Sequence, residues 1–335
     1  MAKVVKEWEA FEVVALPLAG AEPVRGLKRG RPVSAGELLA SDPLRGRRHA
    51  PVAGMVEAVR GDEIVIRRDE AAVGEPPRPV DLAALPPASL APALSELGLD
   101  LAAPPPGEPF LISALDPEPG LAFAAPLLAE HRETLAAGLA ALRRLFPGSR
   151  LIWAGLRPEE SPPGADEFRR LKADYPWTLP ALARKSLTGR LDRTGGGAAD
   201  LSLLFSLGRL WRTGLPLRRM VLTLGRATYF VPPGARPIDL LVSANLEPGP
   251  GDAVVAGGLV RGRTLARLTR GLGRETAGLH LVRRAGQRPG PCRHCGGCLR
   301  ACPMGKPPGR DGDCLSCLAC ALACPSRALP WTRFR

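Results

Sequence analysis

All eight cysteines of this chain fall between Cys292 and Cys324. The first four read Cys292-Arg-His-Cys295-Gly-Gly-Cys298-Leu-Arg-Ala-Cys302-Pro303, and the second four read Cys314-Leu-Ser-Cys317-Leu-Ala-Cys320-Ala-Leu-Ala-Cys324-Pro325. Both are C-x2-C-x2-C-x3-C-P, the spacing with which thiolates hold [4Fe–4S] clusters. Three close thiolates take three irons of one cube, and the fourth cysteine, expected to begin a helix, is carried to the other cube. The ligand sets then cross: Cys292, Cys295, Cys298 and Cys324 for one cluster, and Cys314, Cys317, Cys320 and Cys302 for the other. Crossing keeps the cubes close together, which suits stepwise one-electron transfer. Cys-x2-Cys is also half of a zinc site, but structural zinc closes on four ligands and not on three plus one. His294 is then a neighbour, because cysteines already fill all eight positions. Arg293, Arg300, Lys306 and Arg310 lie in or near the first motif, where they would favour a reduced, more negative cluster or attract an acidic partner.

No other constellation in the chain carries chemistry. His49, His131, His280 and His294 are scattered, and neither a G-x-S-x-G elbow nor paired metal-binding histidines occur. His131 falls near the start of an expected helix and reads as structural. Gly195-Gly196-Gly197 precedes Asp200, but it departs from the G-x-G-x-x-G fingerprint and no Walker sequence is present, so it reads as a simple loop.

Composition narrows the class. With 335 residues, 45% of them hydrophobic, the chain holds material for two to four packed domains. Lys and Arg exceed Asp and Glu by 13, 46 against 33. Two clusters with their thiolates would reduce that excess to roughly +9. The basic residues are dispersed and aromatics make up only 4%, which lacks the interleaved pattern of nucleic-acid binders. No charge-free apolar run is long enough to span a bilayer, and the acidic N-terminal stretch lacks the apolar core of a signal peptide. Cysteines confined to one end are unlike a disulfide framework, so cytoplasmic metal chemistry is expected.

The elements that must position the motifs can be read from periodicity. Short strands broken by turns run over 12–68, giving an all-β module. The proline-rich stretch 74–109 reads as linker, interrupted by a short helix around Leu90–Leu97. Leu128, Leu135, Leu139, Leu142 and Phe146 share one helical face from Leu127 onward, and Leu151-Ile152-Trp153-Ala154 reads as a buried strand. Strand, helix and strand over 111–155 make an α/β unit. A second unit follows, with Asp200 capping a helix to about Thr213 and Met220–Leu224 as the next strand. Between Val231 and Val282, short strands and a helix near Thr264–Leu272 suggest a compact α+β module.

In this order the modules resemble the C subunit of the Rnf electron-transport complex, colinear over most of the chain. The resemblance rests on 30–40 followed by 49–56, on Ala114-Leu-Asp-Pro-Glu118-Pro with Leu127–His131, on Gly257–Gly262, and on Cys302–Pro308. It implies an α+β multidomain fold: a barrel-sandwich hybrid (1–73), a linker (74–109), a degenerate Rossmann-like nucleotide-binding core (110–226), a small SLBB-like α+β module (227–287) and a two-cluster ferredoxin-like domain (288–335). Barrel-sandwich modules are shared with biotinyl and lipoyl carriers, but the hairpin Asp42–His49 contains no lysine to modify. Family members carry a glycine-rich loop, GGAGFPT followed by a lysine, where this chain has Leu97–Gly107 with three prolines that offer no N–H to a phosphate. FMN and NADH are therefore not expected as cofactors. The resemblance implies an iron–sulfur electron-transfer subunit, peripheral on the cytoplasmic face of the cell membrane, whose partners are other subunits of a redox complex and a ferredoxin-like or flavoprotein donor. The alternatives are an NADH-oxidising flavoprotein with a nucleotide site rebuilt on 195–200, and an assembly module in which the clusters are only staples.

Overall fold

The computed structural model describes residues 5–9, 11–42, 46–72, 74–191, 196–283, 290–306, 308 and 314–329. Among them the chain is a mixed α/β protein with four sheets. The strands β1 (Lys6–Glu7), β2 (Val13–Pro17), β3 (Glu22–Pro23), β4 (Pro32–Val33), β5 (Leu38–Asp42), β6 (Gly46–His49), β7 (Gly54–Val59) and β8 (Glu63–Arg68) come first. All of these but β1 form two small sheets ordered β2-β8-β7-β4 and β3-β5-β6. Alternation sends Val14, Leu16, Val56, Ile64 and Ile66 into one core, while Val13, Ala15 and Val65 pack on the opposite face.

The segment 74–109, expected as linker, is packed. Its helix α1 (Pro87–Glu96) starts with proline at N1, where a missing N–H costs nothing. Leu90 and Leu94, with Leu82, Leu97 and Leu99, are buried against Phe110 and Leu142. Prolines at both ends disguised an apolar stripe that needs covering.

The α/β core is built from β9 (Phe110–Ser113), α2 (Ala124–Glu130), α3 (Arg132–Leu145), β10 (Leu151–Gly155), β11 (Glu167–Arg170), α4 (Pro180–Thr188), β12 (Ala198–Asp200) and α5 (Leu201–Thr213). Its strands are all parallel in the order β11-β10-β9-β12. The expected single helix from Leu127 is two, broken at His131, whose backbone (φ −126°, ψ 30°) is not helical. The His131 ring lies edge-on to Phe205 and Phe230, and burial lowers its pKa. As expected, the Asp200 side chain accepts a hydrogen bond from Leu203 N at 2.9 Å and caps α5.

Met220–Leu224, expected as a further strand of this core, belongs to another sheet. It is β13, and it forms a hairpin with β14 (Ala227–Val231), with Leu224 opposite Ala227. With α6 (Pro237–Ser243), β15 (Ala253–Ala256), β16 (Arg263–Thr264) and β17 (Gly278–Val282), it gives a six-stranded sheet ordered β1-β14-β13-β17-β15-β16. A boundary at 226/227 therefore cuts the hairpin. The helix expected near Thr264–Leu272 is absent, because its backbone groups bond elsewhere: Leu265 N to Val254 O, Leu272 N to Ala235 O, and Leu268 O from Ile238 N. Leu222, Val231, Leu241, Val254 and Leu279 of this sheet and α6 share one core with the N-terminal strands.

Candidate metal centre

The two cysteine motifs fold as structural copies. In each, a left-handed residue stands two positions after the first cysteine, His294 (φ 52°) and Ser316 (φ 49°). A second stands four positions after it, Gly296 (φ 68°) and Leu318 (φ 58°). These reversals turn the backbone N–H groups inward, so that His294 N donates to Cys292 Sγ and Ser316 N to Cys314 Sγ, both at 3.4 Å. One short helix follows in each copy, α7 (Gly297–Ala301) and α8 (Ala319–Leu322). After the fourth cysteine each copy turns again, with Gly305 N bonding Cys302 O and Arg327 N bonding Cys324 O. The helix expected to begin at the fourth cysteine in fact precedes it: Cys302 is the C-cap of α7 and Cys324 lies just beyond α8. Cys302 and Cys324 therefore sit at a helix C-terminus, whose partial negative charge is no help to a thiolate.

α7 and α8 pack on each other, and this sets which cysteines meet. A Cβ placed on Gly297 would lie 3.2 Å from Ala323 O, next to Cys324, so the end of the second motif abuts the start of α7 in the first. At the other end, burial raises the Cys317 pKa, and the neighbouring Cys302 and Cys314 raise it further. Burial likewise raises Cys320, with added effect from Cys317 and Cys314. Cys324 is lowered, chiefly through its contact with the Ser326 hydroxyl, and Ala328 N also donates to its sulfur at 3.3 Å. Among the described residues no three His, Cys, Asp or Glu side chains are drawn together as a closed metal-holding group. The donor set nevertheless fits a soft metal cluster: eight unbridged cysteines, N–H groups aimed at sulfur, and Cys302 beside Cys317 across the motif boundary.

The copies differ in exposure. Cys292 and Cys314 are both exposed, but Cys295 is exposed where its counterpart Cys317 is buried. Cys317 and Ala319 join a small core with Leu179 and Leu182, against which Tyr175, Trp177, Leu191 and Leu315 pack. The Tyr175 hydroxyl donates to Cys317 O. Lys185 Nζ reaches Pro303 O at 3.4 Å and Met304 Sδ at 3.7 Å, tying the tail of the first motif to α4. None of these anchors was expected from the sequence. A signal was available: Tyr175 is one of only two tyrosines and Trp177 one of five tryptophans in an aromatic-poor chain. His294 is exposed beside Cys292; Arg293, Arg300 and Lys306 are exposed, and Arg310 lies outside the described residues.

The place where an open α/β sheet takes nucleotides is the crevice at the carboxyl ends of β9 and β12, where strand order reverses. Here carboxylates already occupy the helix starts. Asp116 accepts from Phe123 N and Ala124 N, both at 2.9 Å, at the head of α2, and Asp200 caps α5. Burial raises the Asp116 pKa. Of the triple glycine, Gly195 lies outside the described residues. Gly196 O accepts from Arg184, and Gly197 N donates to Ala102 O, so the rest of the loop is bound internally. A cavity of about 610 Å³ lies between 98–100, the start of α5 and 274–277. Its charges balance: Arg48, Arg219 and Arg274 against Asp100, Asp200 and Glu275. In a neighbouring pocket that shares Arg48 and Arg274 with it, burial and then Arg274, Arg47 and Arg48 lower the His49 pKa to about 4.

No protein-family model matches the chain, and no curated protein matches it. Among solved structures, the chain is similar to one from the NAD+-reducing [NiFe]-hydrogenase in the air-oxidised state, at 19% identity and a TM-score of 0.41, over 52% of this chain and 40% of that one. For the H2-reduced state of that enzyme the values are 18% and 0.45, over 60% and 48%. The chain thus spans less than half the length of either hydrogenase chain. Among the described residues no helix is long and apolar enough to cross a membrane.

Proposed function

We propose that this chain is an iron–sulfur electron-transfer subunit of a membrane-associated, Rnf-like redox complex. It would relay electrons between protein partners through two [4Fe–4S] clusters, peripheral on the cytoplasmic face. The observation that carries the reading is the repetition of one sulfur-directed wrap in both motifs, with left-handed residues and N–H···S contacts at equivalent positions. When bound, such clusters supply one-electron redox chemistry. The ligand sets would be Cys292, Cys295, Cys298 and Cys324, and Cys314, Cys317, Cys320 and Cys302.

The chain's own residues would then do three things. His294 N, Ser316 N and Ala328 N donate toward sulfur, offsetting negative charge on the ligands. The wall of Tyr175, Trp177, Leu179 and Leu182 keeps water from Cys317. Lys185 and Tyr175 fix the motifs on the core. The competing flavoprotein reading meets an obstacle at the helix starts, where the carboxylates of Asp116 and Asp200 stand in the place of a phosphate. FMN and NADH are accordingly left out of the proposal.

The test is anaerobic reconstitution of the full chain. About eight irons per chain and a broad visible absorbance that bleaches with dithionite are expected. A protein that takes up no iron would end the reading, and stoichiometric FMN reduced by NADH would replace it with the flavoprotein.

A further inference from the structure

The structure describes five large hydrophobic side chains as exposed, and two of them, Leu299 (46%) and Leu322 (44%), are on α7 and α8. Leu299 follows Cys298, and Leu322 stands two residues before Cys324, so both adjoin ligands of the set whose other members, Cys292 and Cys295, are exposed. Arg293, Arg300 and Arg327 flank the same ligands and are exposed. No ion pair among the described residues involves any of the three, and no acidic residue occurs in the described parts of 290–329. Cys317 and Ala319 of the second motif are instead covered by Leu179, Leu182 and Tyr175.

We infer that this face is the docking port for an acidic electron-carrier protein, seated on Leu299 and Leu322 inside a rim of Arg293, Arg300 and Arg327. The inference rests on the electron-transfer reading and adds to it the partner's charge and the cluster through which electrons pass to it, that of Cys292, Cys295, Cys298 and Cys324. A small apolar centre with a charged rim is the composition of a transient interface. Charge complementarity sets the encounter rate of such pairs more than their final affinity. An anionic membrane could also attract the arginines, but α7 and α8 have five and four residues, too short to lie in an interface as amphipathic helices.

The experiment uses the reconstituted full chain and a reduced acidic plant-type ferredoxin as probe, with basic cytochrome c and phosphatidylserine vesicles as controls. Electron transfer from the ferredoxin is expected to slow by at least about tenfold between about 0.02 and 0.5 M salt, as the screening length shortens. Arg293→Gln with Arg300→Gln should slow it by about fivefold at low salt and by less than about twofold at high salt. Leu299→Ser should weaken binding by about fivefold at both salts. Arg25→Gln with Arg29→Gln, exposed in the turns between β3 and β4, should change nothing. A salt-independent rate, unchanged behaviour of the Arg293/Arg300 pair, tighter engagement of cytochrome c, or binding to the vesicles instead would overturn the port. Iron content and dithionite bleaching of each preparation separate the failures: clusters without salt dependence sink only the port, and no clusters sinks both.

Discussion

Shifting the first motif by the 22 residues that separate Cys292 from Cys314 places Arg293 on Leu315, His294 on Ser316, Gly296 on Leu318 and Arg300 on Leu322. The backbone does the same thing at each pair, turning left-handed at His294 and Ser316 and again at Gly296 and Leu318. The side chains do different things. Leu315 packs toward Leu179 and Leu182, while Arg293 stands in solvent. Cysteine spacing thus sets the wrap, and the residues between the cysteines decide which copy is held by the core and which stands in solvent.

The largest effects should come from the cysteines. Cys317→Ser and Cys292→Ser should each reduce iron from about eight to about four per chain. Only Cys317→Ser should also loosen the contact with α4, seen as faster proteolytic release of the C-terminal segment. Crossing sharpens the comparison further. Cys302→Ser should give the same residual spectrum as Cys314→Ser, and a spectrum matching Cys292→Ser would break the assignment.

Next in size is the wall itself. Leu182 is fully buried beside Cys317 and Ala319, so Leu182→Ala should cost about 2–5 kcal/mol in chemical unfolding. Leu299→Ala, at the exposed copy, should stay within about 0.5 kcal/mol. Equal losses would mean that the two copies are not differently supported.

Acid should separate the body of the protein from both copies. The His49 pKa is lowered to about 4 from 6.5, first by burial and then by Arg274, Arg47 and Arg48. The unfolded chain then binds the proton more readily than the folded one, so stability is full above pH 6.5 and falls as pH drops toward about 4. The loss over that window is about 3 kcal/mol. His49→Gln should flatten it, and an unchanged pH slope in urea titrations of the variant would show that His49 is not its source.

Much of this architecture was legible because periodicity and spacing are local. The strands β9 and β10, the Asp200 cap and each run of four cysteines follow from residues close together in the sequence. What was not legible depends on distant pairing. Leu265, Leu268 and Leu272 have helical spacing, yet their backbone bonds go to Val254, Ile238 and Ala235. Met220–Leu224 looks like any buried strand, and only its hairpin with Ala227–Val231 places it in the six-stranded sheet. The prolines of 74–109 drew attention from Leu90 and Leu94, which face the core. At the cysteines, the rarity of Tyr175 and Trp177 marked them out but could not say what they cover, because Tyr175 and Cys317 are separated by 142 residues.

That long-range contact supplies the smallest and most specific test. The Tyr175 hydroxyl bonds the carbonyl of Cys317, and Tyr175→Phe removes this bond while keeping the ring that packs against Leu179 and Leu182. The loss should be about 1 kcal/mol, the usual net worth of one hydrogen bond. Because the carbonyl belongs to Cys317, which the proposal assigns to one cluster, the change should reach only one of the two proposed clusters. In a potentiometric titration of the reconstituted protein, one wave should move and the other stay. A shift of both waves, or movement of the wave that Cys292→Ser abolishes, would mean that Tyr175 acts on the whole domain and that the copies are not independently held.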